Sequence, residues 1–172
     1  MEIMSEKMKI DLYSRKVLIK DSCLELVPGY LRFVKGIVDC EDLPLNISRE
    51  TYQDSNLISK LRNVITRRIL KFIEDEMKRD PETYDKWFTD FQQFLKEGVM
   101  SDNENKEQLM RLMRYHSTAE DIKKSISLDD YVKSMSEGQK NIYFICGPQP
   151  SQVMSNPFME PFKHSEIPVL IV

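Results

Sequence analysis

The sequence predicts an α/β protein. Three observations carry that reading. Residues 9–20 are rich in Ile, Leu, Tyr and Val with interleaved Lys, Arg and Ser, and read as a strand. Strong helical periodicity fills the middle of the chain. The end reads strand, helix, strand: Asn141–Cys146, a helical piece around Ser151–His164, and Ile167–Val172. That is a βαβ pattern, expected to be right-handed.

After the first strand, Pro28 suits N1 of a short helix through Phe33 and Val34, ended near Gly36. Ile37-Val38 then gives a short strand that stops at a turn around Leu43–Arg49. Asn46 and Ser48 precede a helix start, which places Arg49 in the first turn. The positive end of the helix macrodipole disfavours a cation there. A bound anion would offset that, because free backbone N–H groups and a guanidinium fork suit phosphate. The plainer alternative is a Ser cap beside a solvated surface arginine.

From Leu57 the apolar positions Leu57, Ile58, Leu61, Val64, Ile65, Ile69, Phe72, Ile73 and Met77 form a helical stripe of about five turns. Lys60, Arg62, Arg67, Arg68 and Lys71 occupy much of the remaining surface, as a solvated side or a partner-binding one. Asp80-Pro81-Glu82 is a helix start with an N-cap Asp, Pro at N1 and an acid in the first turn. Tyr84, Trp87, Phe88, Phe91, Phe94 and Leu95 follow at helical spacing, and Gly98 fits the C′ position. Such dense aromatics read as core, with Trp87 the one candidate for an exposed contact. Asn105–Tyr115 gives a further helix using Leu109, Leu112 and Met113. Ser127-Leu128-Asp129-Asp130 resembles a capped start for a helix through Tyr131, Val132 and Met135 that stops at Gly138. Pro161 predicts a break in the helical piece near the end.

The 172 residues suit one ordinary domain or two small ones, and 41% apolar content supports a core beneath a surface that is rich in charge. A net charge of −3 points to neither nucleic acid nor an anionic membrane as partner. No apolar run approaches the roughly 18 residues needed to span a bilayer. Cys23, Cys40 and Cys146 are odd in number and lack C-x-x-C spacing, which argues against a disulfide framework or zinc site and for a reducing compartment. His116 and His164 have no nearby ligand partner, so no metal site is expected. The terminal strand pattern and the immediate entry into another at Lys9 lead to the expectation of an excised piece. On that expectation, Val169–Val172 exposes apolar surface or a sheet edge and drives self-association.

The run Gly36-Ile37-Val38-Asp39-Cys40-Glu41-Asp42-Leu43-Pro44-Leu45-Asn46-Ile47-Ser48-Arg49-Glu50 resembles the middle segment of the heat shock protein 90 chaperones. Their pattern there is close to G-V-V-D-S-x-D-L-P-L-N-[IVL]-S-R-E, followed by a Gln. Cys40 replaces the usual Ser, and Gln53 is kept. Leu12–Ile19, Tyr30–Gly36, Leu112–Tyr115 and Asn141–Cys146 also match, in family order, over roughly residues 9–172. Leu12–Ile19 and Leu95–Val99 look most like the mitochondrial paralogue, which implies a mitochondrial location, with a cytoplasmic one as alternative.

The resemblance implies the end of a larger αβα layer with the catalytic loop and long helix (1–78), a small helical coil (79–121), and the start of a smaller αβα layer (122–172). It implies that Arg49 contacts the γ-phosphate of ATP held by an N-terminal ATPase domain of the same chain. Gln53, one turn later, would support the closed arrangement, and Asn46 would shape the loop. Thr51-Tyr52 depart from the apolar pair usual there, and local packing is expected to depart from the family's with them. The chain itself has neither G-x-x-x-x-G-K-[ST] nor G-x-G-x-x-G, so no cofactor is expected on it alone, with ATP and Mg belonging to the intact parent. Further implied partners are client polypeptides and a second copy joined through a C-terminal domain. An ATPase-activating co-chaperone binds cytosolic members here, but the mitochondrial-like motifs argue against it. The alternative is a passive protein-interaction module without catalytic contribution. A free-standing hydrolase has no Cys/His or Ser/His pattern behind it.

Overall fold

The computed structural model describes residues 9–41, 55–118, 125–147, 150–162, 165 and 167–172. The chain is α/β and divides into two compact units, Met1–Asp75 and Glu76–Val172.

In the first unit, β1 (Lys9–Ser14) is the central strand of a sheet ordered β2-β1-β3, with β2 Val17–Lys20 and β3 Lys35–Asp39. β1 runs antiparallel to β2 and parallel to β3. The single strand expected over residues 9–20 is therefore a hairpin. Its turn residues Arg15 and Lys16 have φ of 48° and 67°. Two positive φ values suit the twist of a two-residue hairpin, but the usual Asn-Gly or Asp-Gly signal is absent. Ile10, Leu12 and Ser14 alternate to the buried face, while Cys23, Leu26, Val27, Tyr30 and Leu31 bury beside the crossover. That crossover uses two single 3-10 turns, Leu24–Leu26 and Gly29–Leu31, and not the expected short helix. Pro28 is extended and precedes the second turn, and Gly36 lies inside β3.

Helix α1 covers Ser55–Arg79, nearly seven turns at about 3.6 residues each. Its buried residues Thr66, Leu70 and Ile73 share one face.

The second unit opens with α2, Pro81–Ser101, whose cap is as expected: Thr83 N–H donates to Asp80 Oδ1 at 3.1 Å. The helix continues past Gly98, which is buried, and Gly98 O accepts from Asp102 N. The C′ assignment fails because α2 packs through its last turn, and packing outweighs glycine's weak helix propensity. α3 covers only Lys106–Arg111, and Tyr115, where the expected helix ends, instead begins β4, Tyr115–Ser117. Pairing of β4 with β5 (Ser125–Ile126) and β7 (Val169–Ile171) takes the backbone hydrogen bonds that a longer helix would need.

The capping box at Ser127 and Asp130 starts α4, Leu128–Lys133. It ends well before Gly138, which has φ 81°. β6 (Tyr143–Ile145), α5 (Pro150–Met154) and β7 complete the βαβ unit, β6 and β7 being parallel. Pro161 sits in a 3-10 stretch, Pro157–Phe162, instead of an α-helix.

The sheet order is β5-β4-β7-β6. β7 is thus an interior strand, and Val169, Leu170 and Ile171 are all buried. The expectation of an exposed terminal strand is corrected: neighbours on both sides take its edges, and helices cover both faces. Val169 and Ile171 pack with Val153, Met159, Tyr143 and Phe162. Leu170 points the other way, onto Ile126, Tyr131, Tyr115 and Leu128.

Candidate functional site

Asn46, Arg49 and Gln53 lie outside the described residues. Residues 42–54 connect the C-terminal end of β3 to the start of α1, and both flanks are described. In open α/β sheets the C-terminal ends of strands are where ligand-binding loops gather.

The β3 flank is held firmly. Tyr13 and Asp39 are register partners, and Cys40 N–H donates to Tyr13 O at 3.0 Å. Lys16 N–H donates to Asp39 Oδ2 at 3.1 Å, tying the hairpin turn to the last residue of β3. A matching contact lies toward the other end of β1, where Ser22, at φ 51°, donates its N–H to Asp11 Oδ1 at 3.0 Å. That hydrogen bond, with a smaller contribution from Asp21, holds the Asp11 carboxyl below its usual range.

On α1, Lys60, Arg62, Arg67, Arg68 and Lys71 are exposed, and Lys71 pairs with Asp75 at 2.8 Å. Lys60, Val64, Arg68 and Phe72 follow at four-residue spacing along one exposed ridge, with Val64 56% and Phe72 63% exposed. The apolar stripe read from the sequence includes Val64 and Phe72, and both face outward.

In the second unit, Arg114 has a structural setting. Its side chain is 9% exposed, and Nε donates to Asp85 Oδ1 at 2.9 Å. The guanidinium carbon stands 4.8 Å from the Tyr84 ring centroid, and Tyr84 OH donates to Leu112 O at 2.6 Å. Burial pushes the Tyr84 phenol well above its usual range. Trp87 is half-buried, stacks on Phe91 at 5.0 Å and lies 5.5 Å from Tyr84, so it belongs to an aromatic ladder and is not an isolated exposed contact.

Sequence reasoning placed Tyr131 in a helix but gave its hydroxyl no role. Fully buried, its hydroxyl donates to Pro168 O (2.7 Å) and accepts from Tyr143 N (3.1 Å) and Gln139 Nε2 (3.2 Å). It ties α4 to the starts of β6 and β7.

The three cysteines are free: Cys23 buried, Cys40 half-buried, Cys146 exposed. Burial pushes the Cys23 thiol up to about 11, aided by its 3.3 Å contact with Glu25 Oε2. Among the described residues no three His, Cys, Asp or Glu side chains gather to hold a metal ion. No helix among them is long and apolar enough to cross a membrane.

The sequence profile described as Hsp90 protein matches residues 1–172. The chain belongs to the Hsp90 family. It is 45% identical over 161 residues to the chaperone protein HtpG of Desulfitobacterium hafniense, covering 94% of this chain and 26% of that relative. It is 43% identical over 163 residues to the mitochondrial heat shock protein 75 kDa of Rattus norvegicus, covering 94% and 23%. It is 40% identical over 166 residues to the mitochondrial TNF receptor-associated protein 1 homolog of Dictyostelium discoideum, covering 95% and 23%. This Hsp90-family chain thus spans about a quarter of the length of the curated relatives it matches. Bacterial and mitochondrial relatives stand at similar identity, so the likeness alone does not fix a compartment.

Proposed function

We propose that the chain is the middle segment of an ATP-dependent molecular chaperone and that it supplies Arg49 to a nucleotide held elsewhere in the protein. The observation that carries this reading is the Hsp90 match over residues 1–172, which includes the D-L-P-L-N-I-S-R-E run. Phosphoryl transfer is catalysed chiefly by positioning and by offsetting charge on the transferred group, and a supplied arginine does this. ATP with Mg is the substrate, bound by an N-terminal ATPase domain. On this chain, Arg49 meets the γ-phosphate, Gln53 supports the closed arrangement, and Asn46 shapes the loop. The isolated segment neither binds nor hydrolyses ATP. Client polypeptides are the further partners, with a second copy joined through a C-terminal domain, and the location is mitochondrial, with a cytoplasmic one as the alternative.

Single-turnover hydrolysis beside equilibrium ATP binding tests this in the full-length gene product. Arg49→Ala should lower turnover while leaving ATP affinity nearly unchanged, because a charge that meets the phosphate mainly in the reacting state stabilises the transition state more than the ground state. Arginine fingers are worth roughly 10³–10⁵ in rate. The expected loss is at the lower end or below, since domain closure can limit turnover. Gln53→Ala should lose less, and Arg49→Lys should rescue only partly.

A second reading rests on the exposed α1 ridge. Cations interleaved with Val64 and Phe72 make that helix a contact surface for a partner chain, and the segment then acts passively. Wild-type turnover in Arg49→Ala would select this reading over the first.

A further inference from the structure

From the outer ridge of α1 we infer a docking surface for an anionic lipid membrane, with the helix lying along the headgroups and not crossing them. The inference names an occupant for the ridge behind the second reading and does not rest on the role of Arg49.

Net charge alone argues against such a partner, but the charge is unevenly spread. Residues 56–73 hold five of the chain's 25 Lys and Arg and none of its 28 Asp and Glu. At about 100° per residue, Lys60, Val64, Arg67, Arg68, Lys71 and Phe72 fall within an arc of about 140°. All six are exposed, while the buried Thr66, Leu70 and Ile73 lie on the opposite side. The ridge runs about 18 Å along the helix axis. Of its four cations, only Lys71 makes an ion pair among the described residues, with Asp75 at 2.8 Å. The ridge therefore presents positive charge that its own surroundings leave largely unneutralised.

The apolar side chains select among anionic partners. A groove on a partner protein grips a helix through anchors at i, i+3, i+4 and i+7. Here the exposed apolar residues are Val64 and Phe72, with Arg68 midway between them on the same row. A groove deep enough for both would bury the guanidinium as well, at the cost of desolvating a charge. Nucleic acid offers phosphates but no apolar phase for Phe72. A membrane interface takes both kinds of side chain. Apolar groups enter the acyl boundary, and the long stems of Lys and Arg carry their charges back to the headgroups. Each cation near an anionic surface strengthens binding roughly fivefold, so the three outside the Lys71–Asp75 pair give on the order of 10²-fold.

The test is flotation of the full-length protein with vesicles. One set is phosphatidylcholine alone, and the other is two parts phosphatidylcholine to one part phosphatidylglycerol. Wild type should float with the anionic vesicles only, and salt at about 0.5 M should release it. Arg67→Gln with Arg68→Gln should lower partition by about tenfold or more. Lys96→Gln with Lys106→Gln removes the same charge from exposed positions elsewhere and should stay within twofold of wild type. Phe72→Ala should lose about tenfold, because the ring then no longer enters the acyl boundary. Phe72→Trp keeps a large apolar group at an exposed position, and its emission should shift to the blue with anionic vesicles alone. That variant decides the matter should the double arginine variant fail to fold. Absence of wild-type flotation overturns the inference and leaves the ridge to a partner chain. Equal flotation with both vesicle sets overturns it, as does an equal loss in the Lys96 and Lys106 variant. Binding with no shift in Phe72→Trp emission also overturns it, since charge would then act without the apolar side chains.

Discussion

Removing one oxygen, in Tyr131→Phe, should destabilise the second unit more than most core truncations of that size. The hydroxyl has one donor and two acceptor positions, and all three are in use. Gln139 Nε2 keeps a second acceptor in Asn141 O at 2.8 Å, so it loses little. Pro168 O is buried and loses the Tyr131 donor. Tyr143 N, at the half-buried start of β6, loses its acceptor. An unsatisfied buried group costs about 1–3 kcal/mol. Taking the full range for Pro168 O and the lower end for Tyr143 N gives a loss of about 2–4 kcal/mol. At about 2–4 °C per kcal/mol for a chain of this size, the thermal midpoint should fall by about 4–16 °C. Urea titration should show a lower midpoint at unchanged slope, because the exposed surface does not change. Tyr115→Phe is the matched control: its ring packs beside the same cluster, and no described hydrogen bond uses its phenol. If Tyr131→Phe costs no more than Tyr115→Phe, the three-way bond is not holding α4 to β6 and β7.

Other substitutions test other parts. A Cβ on Gly147 would stand 2.3 Å from Val153 Cγ2, so Gly147→Ala should cost about 1–3 kcal/mol by urea titration, and Val153→Ala in the same chain should recover part of it. Ser127→Ala removes the acceptor for Asp130 N at 3.1 Å and should cost about 1 kcal/mol, read from the same titration. The Cys23 thiol, raised to about 11 in the folded chain, favours folding fully below its unfolded value near 9. That contribution should disappear as pH rises from 9 to 11, seen as a midpoint decline absent in Cys23→Ala. Thiol alkylation under native conditions should modify exposed Cys146 first and Cys23 last, by mass spectrometry. Calorimetric titration of the isolated segment with Mg-ATP should show no binding, since the sequence has no phosphate-cradling loop.

Local chemistry made part of this fold legible. The Asp80 cap and the Ser127–Asp130 capping box are bonds between near neighbours, so the sequence shows both partners at once. The long stripe from Leu57 likewise declared α1 through repetition. Legibility failed where distant residues decide. Tyr115 sits in β4 because β5 pairs with it and β7 pairs with the two residues that follow, and nothing near Tyr115 announces that. Gly98 looked like a helix end only because its burial within α2 was invisible. Val64 and Phe72 fit an apolar pattern yet face outward, because periodicity fixes a helix but not which flank of a broad stripe is covered.

The hairpin turn shows why the candidate site was only half legible. The motif from Gly36 to Glu50 marks Asn46, Arg49 and Gln53 by their order, and order is what a sequence displays. The support at β3 does not follow order. Arg15-Lys16 carries no turn signal, because the local preference for Gly or Asn has been replaced by a carboxylate 23 residues away. A turn stabilised by a distant residue couples two places in the chain. Asp39 supports the hairpin turn, and the hairpin restrains the end of β3. A self-sufficient Asn-Gly turn would fold as well but leave β3 one restraint short where the 42–54 segment begins. The unfavourable φ values at Arg15 and Lys16 are the local cost of that coupling between the hairpin turn and the end of β3.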